Sequence, residues 1–141
     1  MTTARRRYAS PACLLGEATP GGPANPVRVS IKRVYEAPAR GDGFRVLVDR
    51  LWPRGVSKEA AHLGAWAKQL APSTQLRRWF GHAPRRWAEF ERRYREELKS
   101  CPVEIQALRH KARRGRVTLL YGARDTKRNH ALVLKAVIEA D

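Results

Sequence analysis

The chain has 141 residues, 43% of them hydrophobic, and 29 Lys+Arg against 13 Asp+Glu give it a formal net charge of +16. This length leaves no room for two ordinary domains, the hydrophobic content excludes disorder across the whole chain, and no apolar run is long enough to span a bilayer. The excess charge indicates polyanionic partners or, with equal weight, a surface on which arginine has accumulated without a role.

Residues 1–26 are predicted to be a disordered basic tail outside the fold, because prolines interrupt them and no apolar period survives. The apolar patch at 12–15 is too short for the core of a secretion signal. Cys13 and Cys101 have neither the context of a structural disulfide nor zinc-ligand spacing. A reducing cytoplasm is therefore the predicted location, and residues 27–141 are the predicted single domain.

Two strands open this domain. Val27, Val29 and Ile31 alternate with polar residues, as in a half-buried strand. Residues 44–51 form a second run with a continuously apolar centre, which is typical of a strand covered on both faces. The connection between the two strands is short enough for them to pair as a hairpin instead.

Helices are predicted to follow these strands. Ser57 is a suitable N-cap for a helix over residues 58–70. Ser73 can cap a short helix that ends at Gly81. Residues 84–99 begin with a proline, which suits a first helical turn, and they carry an aromatic stripe at helical spacing.

The last elements are predicted to be a helix over 102–114, a buried strand over 117–121 and a final helix capped by Asp125 or Thr126. This order of elements predicts an α/β domain. Its sheet is expected to be small and mainly parallel, with three or slightly more strands. About five helices are expected to pack on it in Rossmann-like layers.

Two of the predicted strand ends are followed by polar and charged residues. Ligands bind outside the carboxyl ends of the strands in open α/β sheets, so we predict that both segments meet in one cleft. The candidates for catalysis are Asp49, Asp125 and His130. The candidates for ligand binding are Arg50, Arg54, Gly55, Tyr121, Arg124 and Asn129.

These residue types fit an anionic ligand. Guanidinium groups suit phosphate, and a helix N-terminus at 125–127 would add backbone donors. Asp49 and Asp125 could act as a general base or hold a divalent cation, and His130 could move a proton near neutral pH. The structural alternatives are a salt bridge at Asp49, a helix cap at Asp125 and an ordinary exposed helical position at His130. The sequence shows no metal-ligand spacing and does not indicate a particular cofactor.

A second candidate site comprises Trp79, Gly81 and His82. Trp79 and Phe80 follow two arginines, an arrangement that resembles a base-stacking platform. The favoured alternative is that both aromatic side chains belong to the core and that Gly81 ends a helix.

Residues 109–128 contain eight lysines and arginines and one acid, Asp125. Such a cluster favours contacts with the phosphate backbone of nucleic acid. Two functions are therefore predicted, an anion-binding and possibly enzymatic cleft or a non-catalytic nucleic-acid-binding protein. A third alternative is a protein–protein interface; neither the membrane nor a particular oligomeric state is indicated.

The strings RVLVDRLWPRGVSKE, LAPS, LRRWFGH, RWAEFERRYREEL and VTLLYGARDTKRNHALVL resemble the domain-of-unknown-function family 488, in its YeaO-like branch. The resemblance covers about residues 27–140. It implies a compact cytoplasmic bacterial α/β protein without an agreed activity. The family's characteristic polar residues fall on Asp49, Arg50, Pro53, Arg54, Gly55, Trp79, Phe80, Gly81, His82, Tyr121, Asp125 and Asn129.

The chain departs from the family's pattern at two positions. Gly64 and Ala83 stand where the family usually carries aspartate. If either acid serves a family chemistry, its loss weakens that chemistry in this chain. If the acids are caps or salt-bridge partners, their loss affects stability alone.

Overall fold

A computed structural model describes residues 26–140, which form a four-stranded sheet with helices packed on it. The strands lie in the order β1-β4-β2-β3, and every pairing is parallel. Their bounds are β1 Val29–Arg33, β2 Phe44–Leu47, β3 Ala65–Trp66 and β4 Val117–Tyr121. The predicted α/β class is confirmed. Because β4 lies between β1 and β2, the alternative of a hairpin between the first two strands is wrong.

Five α-helices occur in the described part of the chain: α1 Lys58–Ala61, α2 Thr74–Phe80, α3 Trp87–Leu98, α4 Pro102–Arg114 and α5 His130–Glu139. Short 3-10 turns lie at Arg40–Asp42, Lys68–Leu70 and Pro84–Arg86. The hydroxyls of Ser57 and Ser73 cap α1 and α2 as predicted, by accepting hydrogen bonds from Ala60 and Leu76. Within residues 26–140, no helix has the length and apolar character needed to cross a membrane. The predicted tail, including Cys13, lies outside the described residues apart from its last position.

The prediction of one helix over residues 58–70 is wrong. Helix α1 ends at Ala61, and the chain then runs alongside β2 to form β3. The N–H of Gly64 donates to the carbonyl of Arg45 at 2.7 Å, and that of Ala67 to the carbonyl of Leu47 at 2.8 Å. Backbone pairing with an open sheet edge thus outweighs the helical pattern of this segment.

The last helix starts later than predicted. Oδ1 of Asp125 accepts hydrogen bonds from the N–H groups of Lys127 and Arg128, which folds this segment into a turn. The helix begins at His130 and is capped by Asn129. The predicted helix N-terminus at 125–127 is therefore wrong, and it supplies no backbone donors to a ligand.

The sheet buries a different core on each face. The larger core packs α2, α3, α4 and α5 against alternate side chains of the strands, among them Val46 and Leu119. The smaller core contains Leu47 and Leu120 from the opposite face of β2 and β4, with Trp66 against them. Strand β4 is buried along its whole length, as its continuous apolar run predicts.

A buried ion-pair network ties the amino end of β2 to its neighbours. Arg45 and Lys32 both donate to the carboxylate of Asp42, and Arg45 also donates to the carbonyl of Ala61 in α1. The hydroxyl of Thr118 in β4 donates to the backbone carbonyl of Asp42. This network thus links β1, β2, β4 and α1 on the side of the smaller core.

Candidate functional site

A cavity of about 270 Å³ opens at the carboxyl ends of β2 and β4. Phe80 and Phe90, both buried, give it an apolar wall, and the exposed side chain of Leu51 stands at its edge. Its charged and ionisable lining residues are Asp49, Arg50, Arg77, His82, Arg128 and His130. The position is the one expected for a ligand site in a parallel sheet.

Asp49 joins the two strand ends that frame the cavity. Its Oδ2 accepts a hydrogen bond of 2.9 Å from the N–H of Gly122, just past β4. A Cβ atom at Gly122 would lie 2.9 Å from the same oxygen, so a side chain at 122 would push the carboxylate of Asp49 aside. Oδ1 of Asp49 is buried and has no hydrogen bond with suitable geometry from the described residues.

His130 lies against this carboxylate. Its Nε2 is 3.1 Å from Oδ1 of Asp49 and 2.9 Å from the carbonyl oxygen of Val48. Both neighbours are acceptors, so Nε2 must carry a proton. Only 13% of the His130 side chain is exposed, which makes the alternative of an ordinary exposed helical residue wrong.

The cap of α5 and a contact with Tyr94 hold His130 in place. Asn129, which is 2% exposed, accepts from the N–H of Leu132 and donates to the carbonyl of Asp125, and this holds the first turn of α5 in place. The His130 ring also meets the ring of Tyr94 edge-on, with 6.1 Å between centroids. Burial raises the pKa of Tyr94, whose hydroxyl donates to the carbonyl of Leu70, so this phenol stays neutral.

The three arginines of the cavity differ in how they are held. Arg50 donates from Nε and Nη2 to the carbonyls of Pro72 and Ala71, at 3.2 Å each, and so anchors the segment before α2. Arg128 forms an ion pair with Asp125 at 3.3 Å. Arg77 is exposed, and its guanidinium has no ion-pair partner within residues 26–140. The guanidinium of Arg77 is thus open to a ligand.

Five predicted site residues do not line this cavity: Arg54, Gly55, Tyr121, Arg124 and Asp125. Arg54 and Gly55 are exposed in the loop after β2, and Tyr121 is buried in β4, where burial raises its pKa. The hydrogen bond from the N–H of Lys127 is the main reason that the pKa of Asp125 is lowered. Asp49 and Asp125 therefore lie in different surroundings. Asp125 does not line the cavity, but it forms an ion pair with Arg128, which does.

The three residues of the second candidate site lie in three different places. Trp79 lines a separate shallow groove, where the guanidinium groups of Arg86 and Arg93 lie over its ring. Gly81 ends α2. His82 lines the main cavity from a left-handed backbone conformation, with φ of 57°.

Residues 28–141 match a family model described as "Inactive DUF488-N3 subclade". The chain belongs to the DUF488 family. It is 43% identical to the uncharacterised protein Rv3073c of Mycobacterium tuberculosis over 111 residues, which are 79% of this chain and 93% of the relative. It is also 43% identical to the uncharacterised protein YeaO of Escherichia coli over 108 residues, 77% of this chain and 94% of the relative. No solved structure matches the chain.

The two departures from the DUF488 pattern lie outside the cavity. A Cβ atom at Gly64 would lie 2.3 Å from Cε1 of Phe44, so the aromatic ring occupies the space that a side chain at 64 would need. Ala83 precedes the 3-10 turn Pro84–Arg86 and makes no side-chain cap there. Neither replacement removes a carboxylate from the lining of the cavity.

The basic cluster of this DUF488 protein is not one continuous surface. Arg109 is buried and donates to the carbonyls of Val137 and Ile138 at the end of α5. Lys111 lies over the ring of Phe44, and Arg116 bonds to Ser30. The cluster is also split between the two ends of β4, a five-residue strand about 17 Å long.

Sequence reasoning missed Arg77 as a residue of the cavity. Its signal is present in the spacing, because Arg77 precedes Phe80 by three positions on α2 and such residues share a helix face. The sequence favours Phe80 as a core residue, and in the structure it is both a core residue and a wall of the cavity. Within residues 26–140, no three His, Cys, Asp or Glu side chains are grouped so that they could hold a metal ion.

Proposed function

We propose that this DUF488 protein binds an anionic, phosphate-bearing small molecule in the cavity at the ends of β2 and β4. One observation carries the proposal: three arginines and two histidines line the cavity, and its single lining acid, Asp49, accepts from Gly122 and faces His130. The charge left for a ligand is therefore positive. Arginine in particular favours phosphate, because its planar group can donate two parallel hydrogen bonds.

Two arguments favour binding over catalysis. Oδ2 of Asp49 accepts from Gly122 and Oδ1 is buried beside His130, so neither oxygen is available as a base toward a ligand. The matched family model is described as an inactive subclade, which supports the same reading. A general base must come within hydrogen-bond reach of the proton that it removes, and Asp49 is held away from that role.

The cavity also limits the size and shape of the ligand. A volume of about 270 Å³ is just below the usual range of small-molecule sites. Phe80 and Leu51 offer apolar surface beside the arginines, which suits a compact molecule with an apolar part and a terminal anion. A cytoplasmic location, where phosphorylated metabolites are abundant, belongs to this proposal.

The test is isothermal titration of the full chain with inorganic phosphate and with a nucleoside monophosphate. Arg77→Ala should weaken binding by about tenfold or more, since a hydrogen bond to a charged group contributes about 1.5–3 kcal/mol. Arg78→Ala is the matched control, because this exposed neighbour lies on the same helix but not in the cavity. Equal affinities of the two variants for both probes would reject the proposal.

The alternative function is binding to the phosphate backbone of nucleic acid, and the net charge of +16 favours it. The burial of Arg109 and the division of the basic cluster argue for weaker contacts than the sequence alone suggests. The small cavity, in contrast, remains available whether or not nucleic acid binds elsewhere.

A further inference from the structure

We infer that His130 takes up a proton when an anion binds in the cavity, so that the affinity of the site rises as the pH falls. This inference rests on the proposed function and adds its regulation. It starts from the position of Nε2, which lies within 3.1 Å of two acceptors, the carbonyl of Val48 and Oδ1 of Asp49. Because Nε2 holds a proton in either charge state, the proton that comes and goes belongs to Nδ1.

The free site contains an incompletely satisfied carboxylate. Oδ1 of Asp49 is buried and lacks a hydrogen bond with suitable geometry, although Nε2 of His130 is 3.1 Å away. A buried acceptor without a donor lowers stability, and a charged one does so more strongly. A positive charge on His130 would compensate the charge of Asp49 directly.

Other groups around His130 act against its protonation when no ligand is present. His130 is the first residue of α5, where the helix dipole disfavours a positive charge. Across the cavity the cationic and titratable residues are Arg50, Arg77, His82 and Arg128. On the side of α3 the neighbour is Tyr94, which burial keeps neutral.

A bound anion makes the protonation of His130 more favourable. Its charge offsets the arginines and the helix dipole, and it adds a second negative group to the cavity that His130 lines beside Asp49. The protonated form of His130 is then favoured more strongly in the complex than in the free protein. Binding and protonation are consequently linked, and each promotes the other.

The experiment uses the full chain and sulfate, because sulfate resembles phosphate but does not titrate in the range of the histidines. Titration calorimetry in buffers of different ionisation enthalpy counts the protons taken up on binding near pH 6.5, the ordinary pKa of histidine. We expect uptake of a fraction of one proton and an affinity about tenfold higher near pH 5.5 than near pH 8.

Two variants identify the residue that takes up the proton. His130→Gln keeps an N–H that can reach the carbonyl of Val48 but cannot titrate, so we expect it to abolish the uptake. His110→Gln is the matched control, because this exposed histidine of α4 lies outside the cavity and its removal should leave the uptake unchanged.

The outcomes separate the inference from the function on which it rests. Sulfate binding without proton uptake, or uptake that persists in His130→Gln, overturns the role of His130 and leaves anion binding intact. Absence of sulfate binding across the pH range overturns both.

Discussion

The buried carboxylate of Asp42 is held by two cationic side chains and a backbone N–H. Burial alone would raise its pKa from the ordinary value of 3.8, but the N–H of Ala39 and the side chains of Lys32 and Arg45 outweigh burial and lower it. The ionised form is thus the one that the folded protein stabilises. Because the pKa is lowered on folding, this contribution is complete at neutral pH and is lost as the pH falls through the acid range.

Asp42→Asn should lower the free energy of unfolding at pH 7 by about 3 kcal/mol, because it leaves Arg45 buried without its counter-ion. The difference between wild type and variant should shrink below about pH 4. Urea titrations followed by tryptophan fluorescence at a series of pH values measure both effects. Glu89→Gln is the control: its ion pairs with Arg92 and Arg93 are exposed, and little change is expected. A constant difference at all pH values would contradict this account of Asp42.

At the scale of elements, the first turn of α5 contributes both to the stability of the helix and to the position of His130 in the cavity. Asn129 is buried and satisfies two backbone groups, the N–H of Leu132 and the carbonyl of Asp125. The same residue fixes where His130 begins the helix. A change at this cap should therefore disturb both the stability of the helix and the position of the imidazole.

Asn129→Ala should lower the unfolding free energy by about 1–2 kcal/mol, the usual cost of losing a helix cap. Asn129→Ser keeps a neutral side-chain acceptor for the N–H of Leu132 and loses the donor to Asp125, so its loss should be smaller. Thermal unfolding measures both variants. The prediction fails if Asn129→Ser is as destabilising as Asn129→Ala, since the cap would then contribute nothing of its own.

The sequence predicted those elements whose bounds depend on local signals. Helix α4 begins at Pro102 and ends before Gly115, and strand β4 is a compact apolar run, so both have the predicted bounds. Strand β3 has two residues and forms because the edge of β2 is free to pair, a fact that no local pattern records. A short edge strand of this kind depends on tertiary context.

The lining of the candidate cavity was predictable to a similar extent. The rule of strand ends located Asp49, Arg50, Asn129 and His130, because topology alone brings these positions together. It also suggested Asp125, whose carboxylate instead closes a local turn. The choice between a turn and a cleft depends on a few hydrogen bonds near the carboxylate, and the residue type does not determine them.

At the scale of the whole molecule, the charge of +16 predicts non-specific attraction to nucleic acid at low salt. If all eight basic residues of 109–128 met phosphates, the slope of log affinity against log salt would be about −7 for duplex DNA. We expect a clearly shallower slope, because Arg109 is buried and the cluster is divided between the two ends of β4.

Fluorescence anisotropy of labelled duplex DNA with the full chain at several salt concentrations gives this slope. Nucleoside monophosphate should not fully displace the DNA, since the proposed cavity is too small for a duplex and shares only Arg128 with the basic cluster. A slope near −7, or full competition by the mononucleotide, would show that the basic residues act together at one surface.

The position of the Phe44 ring beside Gly64 links the residues that these two positions can accept. A side chain at 64 would lie within 2.3 Å of the aromatic ring, which is itself packed under Lys111. A larger residue at 64 therefore requires this ring to move or residue 44 to be smaller. The aromatic residue at 44 thus makes a change at 64 costly, although neither position contributes to the cavity.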